Sequence, residues 1–366
     1  MAIQFAAMGK VMPERANEPP PLRKEEHQMI LIAKFLSLVA LSFLLIFSFT
    51  SPTSAQTLVP KVQVSYSSAS AVFLPYWVAK EKDLYKRHGA AVELVYIAGG
   101  SKNMQALIAG DIHLTGVGTG AIEANIQGGG TVYVASFVNH FVFSLYGDPG
   151  VNSVKELKGS RIGVTRFGTA TEYAARFALS KYGLDPDKDV AIIQTGGVPE
   201  TLAAIQSGAV KAGIISPPTT LRARKLGLKE IVNIGQLKLP FIQAGAVVTE
   251  NYIRSNRESV KRLMRALVEA ISIIRNDKSF AKTVIGKYTR LSEDDLLEET
   301  YNALSGEFPG IPFTSVEALK VMLGIIGERL KKQVHEPAEK FVDNSFLREL
   351  EKEGFVSRLY SVGGKR

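Results

Sequence analysis

The fold is decided by Val92-Glu-Leu-Val-Tyr-Ile-Ala-Gly-Gly100 and by its later counterpart Val190-Ala-Ile-Ile-Gln-Thr-Gly-Gly197, two strand-like runs that each end in paired glycines. Around them, Val62–Ala121 and Ser160–Thr219 show the same order of strands, helices and small-residue turns. Few residues are identical at matching positions, so the similarity lies in the order of the elements. Strands that alternate with helices predict mostly parallel sheets covered by helices. We therefore expect an α/β fold with two similar lobes, whose turns face one another across a cleft.

We expect the chain to cross between these two lobes twice, because turn-forming residues interrupt the pattern at two places. The predicted first lobe comprises residues 58–146 and 243–366, the second comprises residues 151–236, and the hinge crossovers are residues 147–150 and 237–242. From residue 256 onward, apolar residues recur at helical spacing, as in Val260–Ile274. This pattern predicts extra C-terminal helices that pack on the first lobe.

Residues 1–55 form a predicted leader region. The run Ile30–Phe49 is almost continuously apolar, and Thr53-Ser54-Ala55 offers a small-residue cleavage site after it. This order is typical of a secretory signal peptide. A membrane anchor is the alternative, since the run approaches the length that spans a bilayer. With a signal peptide, the protein is expected in the periplasm. Residues 1–28 are left out of the fold prediction.

The composition excludes several classes of site. The chain has 366 residues and no cysteine. Disulfides, thiolate zinc sites, iron–sulfur clusters and a cysteine nucleophile are therefore excluded, and so is a lipoprotein anchored through cysteine. The formal net charge of +9 is spread over helices that also carry acidic residues. This mixing favours a solvated basic surface over a nucleic-acid interface, and we expect no nucleic-acid partner.

Four turns at the start of predicted helices are rich in serine, threonine or glycine. They are Ser67–Ser70, Gly116–Gly120, Thr165–Thr171 and Ser216–Thr220. Hydroxyl and free N–H groups in such turns donate hydrogen bonds, and the helix dipole favours an anion at the N-terminus. The same residue types also cap helices where no ligand binds. Their matching positions in the two lobes favour a ligand cleft.

The candidate ligand-binding residues lie in these turns or next to them. They are Ser68, Ser70, Phe73, Gly118, Thr119, Asn139, Thr165, Arg166, Thr169, Ser216 and Thr219. Arg166 is suited to a carboxylate, sulfonate or phosphate group, although an exposed loop arginine gives the same pattern. Asn139 follows a predicted strand and Phe73 begins the first predicted helix, so both are candidates to face the cleft.

No catalytic residue is expected. The chain lacks the phosphate-binding GxxxxGK(S/T) pattern, the GxSxG nucleophile elbow and the zinc-binding HExxH pattern. Its five histidines are scattered along the sequence. We therefore expect neither a metal site nor a cofactor.

A family resemblance is carried by four segments, Phe73–Gly89, Ala98–Gly100, Ala106–Asp111 and Gly159–Thr165. They resemble the solute-binding proteins of bacterial ABC importers, in particular the SsuA/THI5-like or NMT1-like group for sulfonates, nitrate, taurine and thiamine precursors. The resemblance covers about residues 62–304. It implies a two-lobed type II periplasmic-binding fold with a ligand cleft between the lobes. It also implies a monomeric receptor that closes on a small solute and delivers it to an ABC permease in the inner membrane.

The resemblance also implies site residues, because sulfonate-binding members use helix N-termini and turn hydroxyls. The matching positions here are Ser68, Ser70, Thr119, Thr169 and Ser216.

Three functions stay open at this point. The first is an extracytoplasmic receptor for a small polar or anionic solute, such as a sulfonate, a carboxylate or a pyrimidine-like molecule. The second is a biosynthetic enzyme of the thiamine-pyrimidine type on the same fold. Relatives with that activity carry a cysteine-rich segment, which this chain lacks. The third is a ligand sensor tethered to the membrane by a retained leader.

Overall fold

A computed structural model of the chain describes residues 23–47, 61–332 and 336–361. In chain order, the strands are β1 Lys61–Tyr66, β2 Ala91–Tyr96, β3 Leu114–Thr115, β4 Thr131–His140, β5 Ser144–Gly147, β6 Arg161–Val164, β7 Ala191–Gln194, β8 Ala212–Ile215, β9 Lys229–Asn233 and β10 Pro240–Thr249. The α-helices are α1 Lys24–Phe47, α2 Leu74–Glu81, α3 Leu84–Arg87, α4 Gly100–Ala109, α5 Thr119–Ile126, α6 Ala170–Lys181, α7 Val198–Gln206, α8 Thr219–Lys225, α9 Glu250–Asn276, α10 Lys278–Thr289, α11 Asp294–Leu304, α12 Val316–Leu330, α13 Ser345–Lys352 and α14 Phe355–Ser361. Short 3-10 helices are Ala71–Phe73, Val154–Leu157, Gly235–Leu237, Ser305–Glu307 and Ala338–Phe341.

Helix α1 belongs to a compact unit of its own that ends at Leu58, and the chain from Val59 onward forms the other unit. The helix overlaps the apolar run of the predicted leader. Residues 1–22, the end of that run and the cleavage motif Thr53–Ala55 lie outside the described residues. Within the described part of the chain, no helix combines the length and the apolar character that a membrane crossing requires.

The unit that begins at Val59 contains two five-stranded sheets built on one plan. The first has the strand order β2-β1-β3-β10-β4, and the second has the order β7-β6-β8-β5-β9. In each sheet the first three strands are parallel, and the fourth runs antiparallel to both of its neighbours. The predicted α/β fold with two similar halves is confirmed. Four strands of each sheet run in one direction, as expected, and the sheets are mixed because each also takes in one antiparallel strand that lies next to a crossover.

The chain passes from the first sheet to the second between β4 and β5, and it returns between β9 and β10. The sequence prediction keeps residues up to 146 in the first lobe and places the first crossover at 147–150. In the structure, Ser144–Gly147 instead forms β5 and pairs with β8 and β9. All of β5 is buried, so its backbone N–H and C=O groups need partners on both sides, and the second sheet supplies them.

The C-terminal helices pack mainly on the first sheet and its covering helices. Helix α9 lies against α2, where Trp77 and Leu263 belong to one buried apolar cluster, and α13 and α14 pack on α9. Burial of a side chain of this size stabilises the fold by roughly 1.5–3 kcal/mol. Helix α12 packs on β10 and α5. It begins at the capping residue Ser315, whose hydroxyl accepts a hydrogen bond from the Ala318 N–H at 3.1 Å.

Candidate solute-binding site

A cavity lies between the elements of the two sheets, at the carboxyl ends of β1 and β6. Its volume is about 450 Å³, including the open space at its mouth. The first-sheet side contributes Ser67, Ser68, Ser70, Val72, Phe73, Gly99, Gly100, Val117 and, from β10, Gln243; the second-sheet side contributes Thr165, Thr169, Ala170, Thr171 and Val198; and the segment between β4 and β5 contributes Phe143. This is the position at which open α/β sheets bind ligands.

Five of the residues predicted from the sequence line this cavity together. They are Ser68, Ser70, Phe73, Thr165 and Thr169. They come from both halves of the chain, so the small-residue turns after β1 and β6 do face one another. Their role in binding stays a prediction.

The other predicted residues do not line the cavity, although two of them lie close to it. The Ser216 hydroxyl is 3.0 Å from the Ser70 hydroxyl. The Nε of Arg166 donates a hydrogen bond to the Ala98 carbonyl at 3.2 Å, and the arginine lies against Gly99. Both contacts join elements of the two sheets, so the cleft is closed around the cavity.

The remaining four predicted residues lie next to the lining turns, outside the cavity wall. The Gly118 carbonyl accepts a hydrogen bond from the Tyr133 hydroxyl, and the Thr219 N–H donates to the Ser216 carbonyl at 2.8 Å. The Thr119 Oγ1 and Asn139 Oδ1 atoms are buried without a hydrogen-bond partner among the described residues. No contact with the cavity is present at these four positions, and their assignment to the site stays a prediction.

Three threonine hydroxyls form a triangle on the second-sheet side of the cavity. The Thr165 hydroxyl is 3.1 Å from that of Thr169 and 2.8 Å from that of Thr171, and the last two are 2.9 Å apart. The Thr171 hydroxyl also accepts a hydrogen bond from the Thr165 N–H at 3.0 Å. A hydroxyl rotates to donate or accept as required. The Thr169 hydroxyl donates to the Arg166 carbonyl at 2.6 Å, so the hydroxyls of Thr165 and Thr171 are the ones that can turn towards a ligand, in exchange for a contact within the triangle.

The cavity offers hydrogen-bond donors and no charge. Helices α4, α6 and α7 begin at its wall with Gly100, Ala170 and Val198, and helix N-termini present unpaired N–H groups and a partial positive charge. Gln243 accepts a hydrogen bond from the Val142 N–H at 2.6 Å through Oε1, which leaves its donor Nε2. None of the described residues that line the cavity is charged. This arrangement can hold a small polar or anionic group, and it places no acid or base for proton transfer.

Gly99 illustrates how closely the two halves approach. Its φ of +85° is a backbone conformation that favours glycine. A Cβ at this position would be 2.3 Å from the Arg166 Cδ across the cleft. The glycine therefore permits the arginine to pack closely against the turn that follows β2.

A larger depression of about 850 Å³ lies beside the crossovers and is lined by His140, Arg224, Lys238 and Glu307, among others. Apart from Glu230, its charged side chains are paired. The Glu307 carboxylate contacts His140 at 2.6 Å and Lys238 at 3.3 Å, and Arg224 pairs with Glu299. The uncharged cavity is therefore the better candidate for a solute, since its donors are not occupied by internal ion pairs.

Several lining residues were not predicted from the sequence. Gly99 and Gly100 were recognised only as the end of a strand. The matching glycines of the second half, Gly196 and Gly197, come directly before Val198, which also lines the cavity. Their paired positions were a usable signal, because strand ends of parallel sheets converge at one edge. Phe143 lies in the segment between β4 and β5 and Gln243 lies in β10, and no motif marks either of them.

Comparison with known proteins agrees with this geometry. The sequence profile of the family described as NMT1/THI5 like matches residues 70–279, which is more than half of the chain. The chain belongs to the NMT1/THI5-like family. The matched region contains all of the lining residues except Ser67 and Ser68, and it ends before α11.

The relatives of this NMT1/THI5-like protein are binding proteins. A protein of Brucella abortus, whose name assigns it provisionally to the binding proteins, is 26% identical over 270 residues, which is 70% of this chain and 83% of that protein. The alkanesulfonate-binding protein SsuA of Xanthomonas axonopodis pv. citri, solved with bound MOPS, has a TM-score of 0.65 at 17% identity over 77% of this chain and 98% of its own. The periplasmic nitrate-binding protein NrtA of Synechocystis has a TM-score of 0.66 at 16% identity over 81% and 89%. These likenesses show the periplasmic-binding-protein fold.

Proposed function

We propose that this chain is the extracytoplasmic receptor of an ABC importer and that it captures a small polar or anionic organic solute by closure of its two lobes. The observation that carries the proposal is the uncharged, donor-rich cavity, which is lined from both halves of the chain. A ligand that contacts both walls binds the closed arrangement more tightly than the open one, so it favours closure.

A sulfonate is the solute class that we favour. Its three oxygens share one negative charge and accept several hydrogen bonds, and the wall provides hydroxyls and helix N-termini on more than one side. Helix N-termini bind such anions without a full counter-charge. The alkanesulfonate-binding neighbour supports this choice, and the nitrate-binding neighbour supports a planar oxyanion as the next candidate.

We infer that the protein acts in binding rather than in catalysis. A biosynthetic enzyme on this fold would need a base beside a lining hydroxyl, another titratable group or a cofactor-binding lysine at its cavity. The described lining residues include hydroxyls, one amide and apolar side chains. The periplasmic location, the permease partner and the monomeric state belong to the same proposal, and they rest on the leader pattern and on the periplasmic neighbours.

A thermal-shift panel tests the proposal. We expect the purified protein to be stabilised by at least one of methanesulfonate, 2-aminoethanesulfonate, a longer alkanesulfonate or nitrate. At 1,000 times Kd, binding adds about 4 kcal/mol to the free energy of unfolding, which raises Tm by several degrees. Calorimetry should then give one site per chain.

Small carboxylates and a hydroxymethylpyrimidine serve as the contrasting members of the panel. If only these stabilise the protein, the sulfonate class is wrong and the receptor proposal stands with another solute. If no member changes Tm, or if a stabilising member is converted to product, the receptor proposal is overturned.

A further inference from the structure

A buried carboxylate follows the threonine triangle directly in the chain. Glu172, on the first turn of α6, has no exposed surface. Its Oε2 accepts a hydrogen bond from the Gly168 N–H at 2.6 Å, and its Oε1 contacts the Nε of Arg176 at 2.8 Å and the Nε of Arg329 at 3.1 Å. A buried carboxylate is tolerated only when it is paired in this manner. Glu172 therefore ties the loop that carries Thr169 to two arginines.

One of these arginines comes from the other side of the cleft. Arg329 lies on α12, which packs on β10 and α5 of the first sheet, whereas α6 packs on β6 and β8 of the second sheet. The same guanidinium contacts the Glu123 carboxylate of α5 at 3.1 Å through a terminal nitrogen. The planar guanidinium of Arg329 thus contacts one carboxylate from each half, Glu172 and Glu123. Arginine is suited to this because its several N–H donors are held in fixed directions.

Two more contacts strengthen the connection between α5 and α6. The Tyr173 hydroxyl donates a hydrogen bond to the Glu123 carboxylate, and the Arg329 guanidinium lies 5.6 Å from the centre of the Tyr173 ring. Glu123 also lies against the Thr165–Thr171 loop, because a Cβ at Gly168 would be 3.2 Å from its Oε2. Gly168 has a φ of +73°, so glycine suits both the backbone conformation and the close approach.

We propose that Arg329 is a positioning residue of the solute site: through Glu172 and Glu123 it holds the Thr165–Thr171 loop against the first-sheet elements and favours the closed cleft. This inference rests on the proposed receptor function. Helix α12 lies beyond the region matched by the family profile, whereas Glu123 and Glu172 lie within it. Arg329 is therefore contributed by the C-terminal helices. We refer below to Glu123, Glu172, Tyr173 and Arg329 as the interlobe cluster.

The contacts divide into those that survive opening and those that do not. The bonds from Glu172 to Gly168 and Arg176 lie within the α6 segment, and they persist whether the cleft is open or closed. The bonds from Arg329 to Glu172 and from Tyr173 to Glu123 join the two halves, so opening breaks them. Buried Glu172 would then lose one of its two arginines, and this loss disfavours the open state. The effect does not involve the solute, so it changes affinity for all solutes by one common factor.

The absence of cysteine makes the test direct. Lys86→Cys and Lys181→Cys place single labels on exposed positions of α3 and α6, one on each half, in a chain with no other cysteine. Distance distributions between two spin labels are then measured on the solute-free protein. We expect a short-distance, closed population in the parent. Arg329→Met should reduce the ratio of closed to open protein by about tenfold, and Glu123→Gln should reduce it by a smaller factor.

Arg265→Met is the matched control. The side chain of Arg265 is shielded from solvent about as much as that of Arg329, and it pairs with Glu353 at the end of α13. Its loss should therefore leave the distance distribution unchanged. Arg329→Lys retains the charge but cannot contact both carboxylates as the guanidinium does, and we expect it to restore part of the closed population. The inference is overturned if Arg329→Met and Glu123→Gln both give the parental distribution, or if Arg265→Met shifts it equally.

Binding of methanesulfonate separates this inference from the proposed function. If methanesulfonate binds the parent, its Kd should rise in Arg329→Met by the factor by which the closed fraction falls, up to about tenfold, with the same factor for 2-aminoethanesulfonate. Unequal factors would overturn the positioning role, because they would indicate direct contact with the solute. If no sulfonate binds the parent, the distance measurement on the solute-free protein still decides the role of Arg329, and the sulfonate proposal alone has failed.

Discussion

Gly245→Ala is expected to destabilise the protein by about 3 kcal/mol, the upper part of the range for overpacking a buried site. Gly245 lies in β10 between β3 and β4, and a Cβ there would be 2.5 Å from the Ala135 carbonyl oxygen. That oxygen belongs to the backbone of a paired strand, so it cannot move aside as a flexible side chain would. The Gly245 N–H also donates a hydrogen bond to the Gly116 carbonyl at 3.1 Å. This bond holds the Gly245 backbone from the β3 side, so the residue cannot shift away from β4. Urea denaturation of the two proteins measures the difference.

Gly324→Ala is the control for this substitution. Gly324 lies within α12, and a Cβ there would meet no atom within 4 Å. Because alanine is favoured over glycine inside a helix, this variant should be more stable than the parent by up to about 1 kcal/mol. Equal effects of the two substitutions would show that the close approach at Gly245 is relieved by movement of the sheet. The proposed strain would then be wrong.

The fold was largely predictable because it follows from local patterns. Apolar strands ending in small residues, such as Val92–Gly100 and Val190–Gly197, alternate with helical segments in the same order in both halves. The sequence prediction failed at β5. Ser144–Gly147 is apolar enough for either sheet, and its membership is decided by which neighbouring strands lack a hydrogen-bond partner. That property belongs to the assembled sheet and is not encoded in the strand alone.

The site was predictable where its residues lie in turns. Ser70 and Thr165 were recognised because hydroxyl residues at helix starts have few other purposes than capping and ligand binding. Arg166 was chosen for its charge, but it does not line the cavity, because its Nε donates a hydrogen bond to the Ala98 carbonyl and its side chain lies against Gly99. Gln243 could not be found from the sequence, because a glutamine in a buried strand gives no sign of which cavity it borders.

The interlobe cluster was also outside the reach of sequence reasoning. Glu172 and Arg329 are far apart in the chain, and each occupies an ordinary position on a helix with many charged residues. Only the burial of Glu172 and the 3.1 Å contact distinguish them from surface charges. Charges on helices are usually solvated, and surface ion pairs contribute little. A pattern search therefore has no reason to select this pair.

Ser70→Ala combined with Thr165→Val should weaken solute binding by about 100-fold. The two hydroxyls line the cavity from opposite halves, and each substitution removes one hydroxyl while nearly conserving volume. A hydrogen bond to a charged group contributes about 1.5–3 kcal/mol, so two of them account for at least this factor. Calorimetric titration with methanesulfonate, or with the panel member that raises Tm most, gives the Kd of the parent, of each single variant and of the double variant.

Thr195→Val makes this prediction specific to the cavity. The Thr195 hydroxyl is also paired with another threonine, at 2.6 Å from the Thr201 Oγ1, and it donates to the Val164 carbonyl at 2.9 Å. It lies in the same half as Thr165 but does not line the cavity. We expect this variant to bind as the parent does, because its lost hydrogen bonds affect stability alone. If the double variant also binds within twofold of the parent, the solute does not contact these hydroxyls, and the site must lie elsewhere in the cleft.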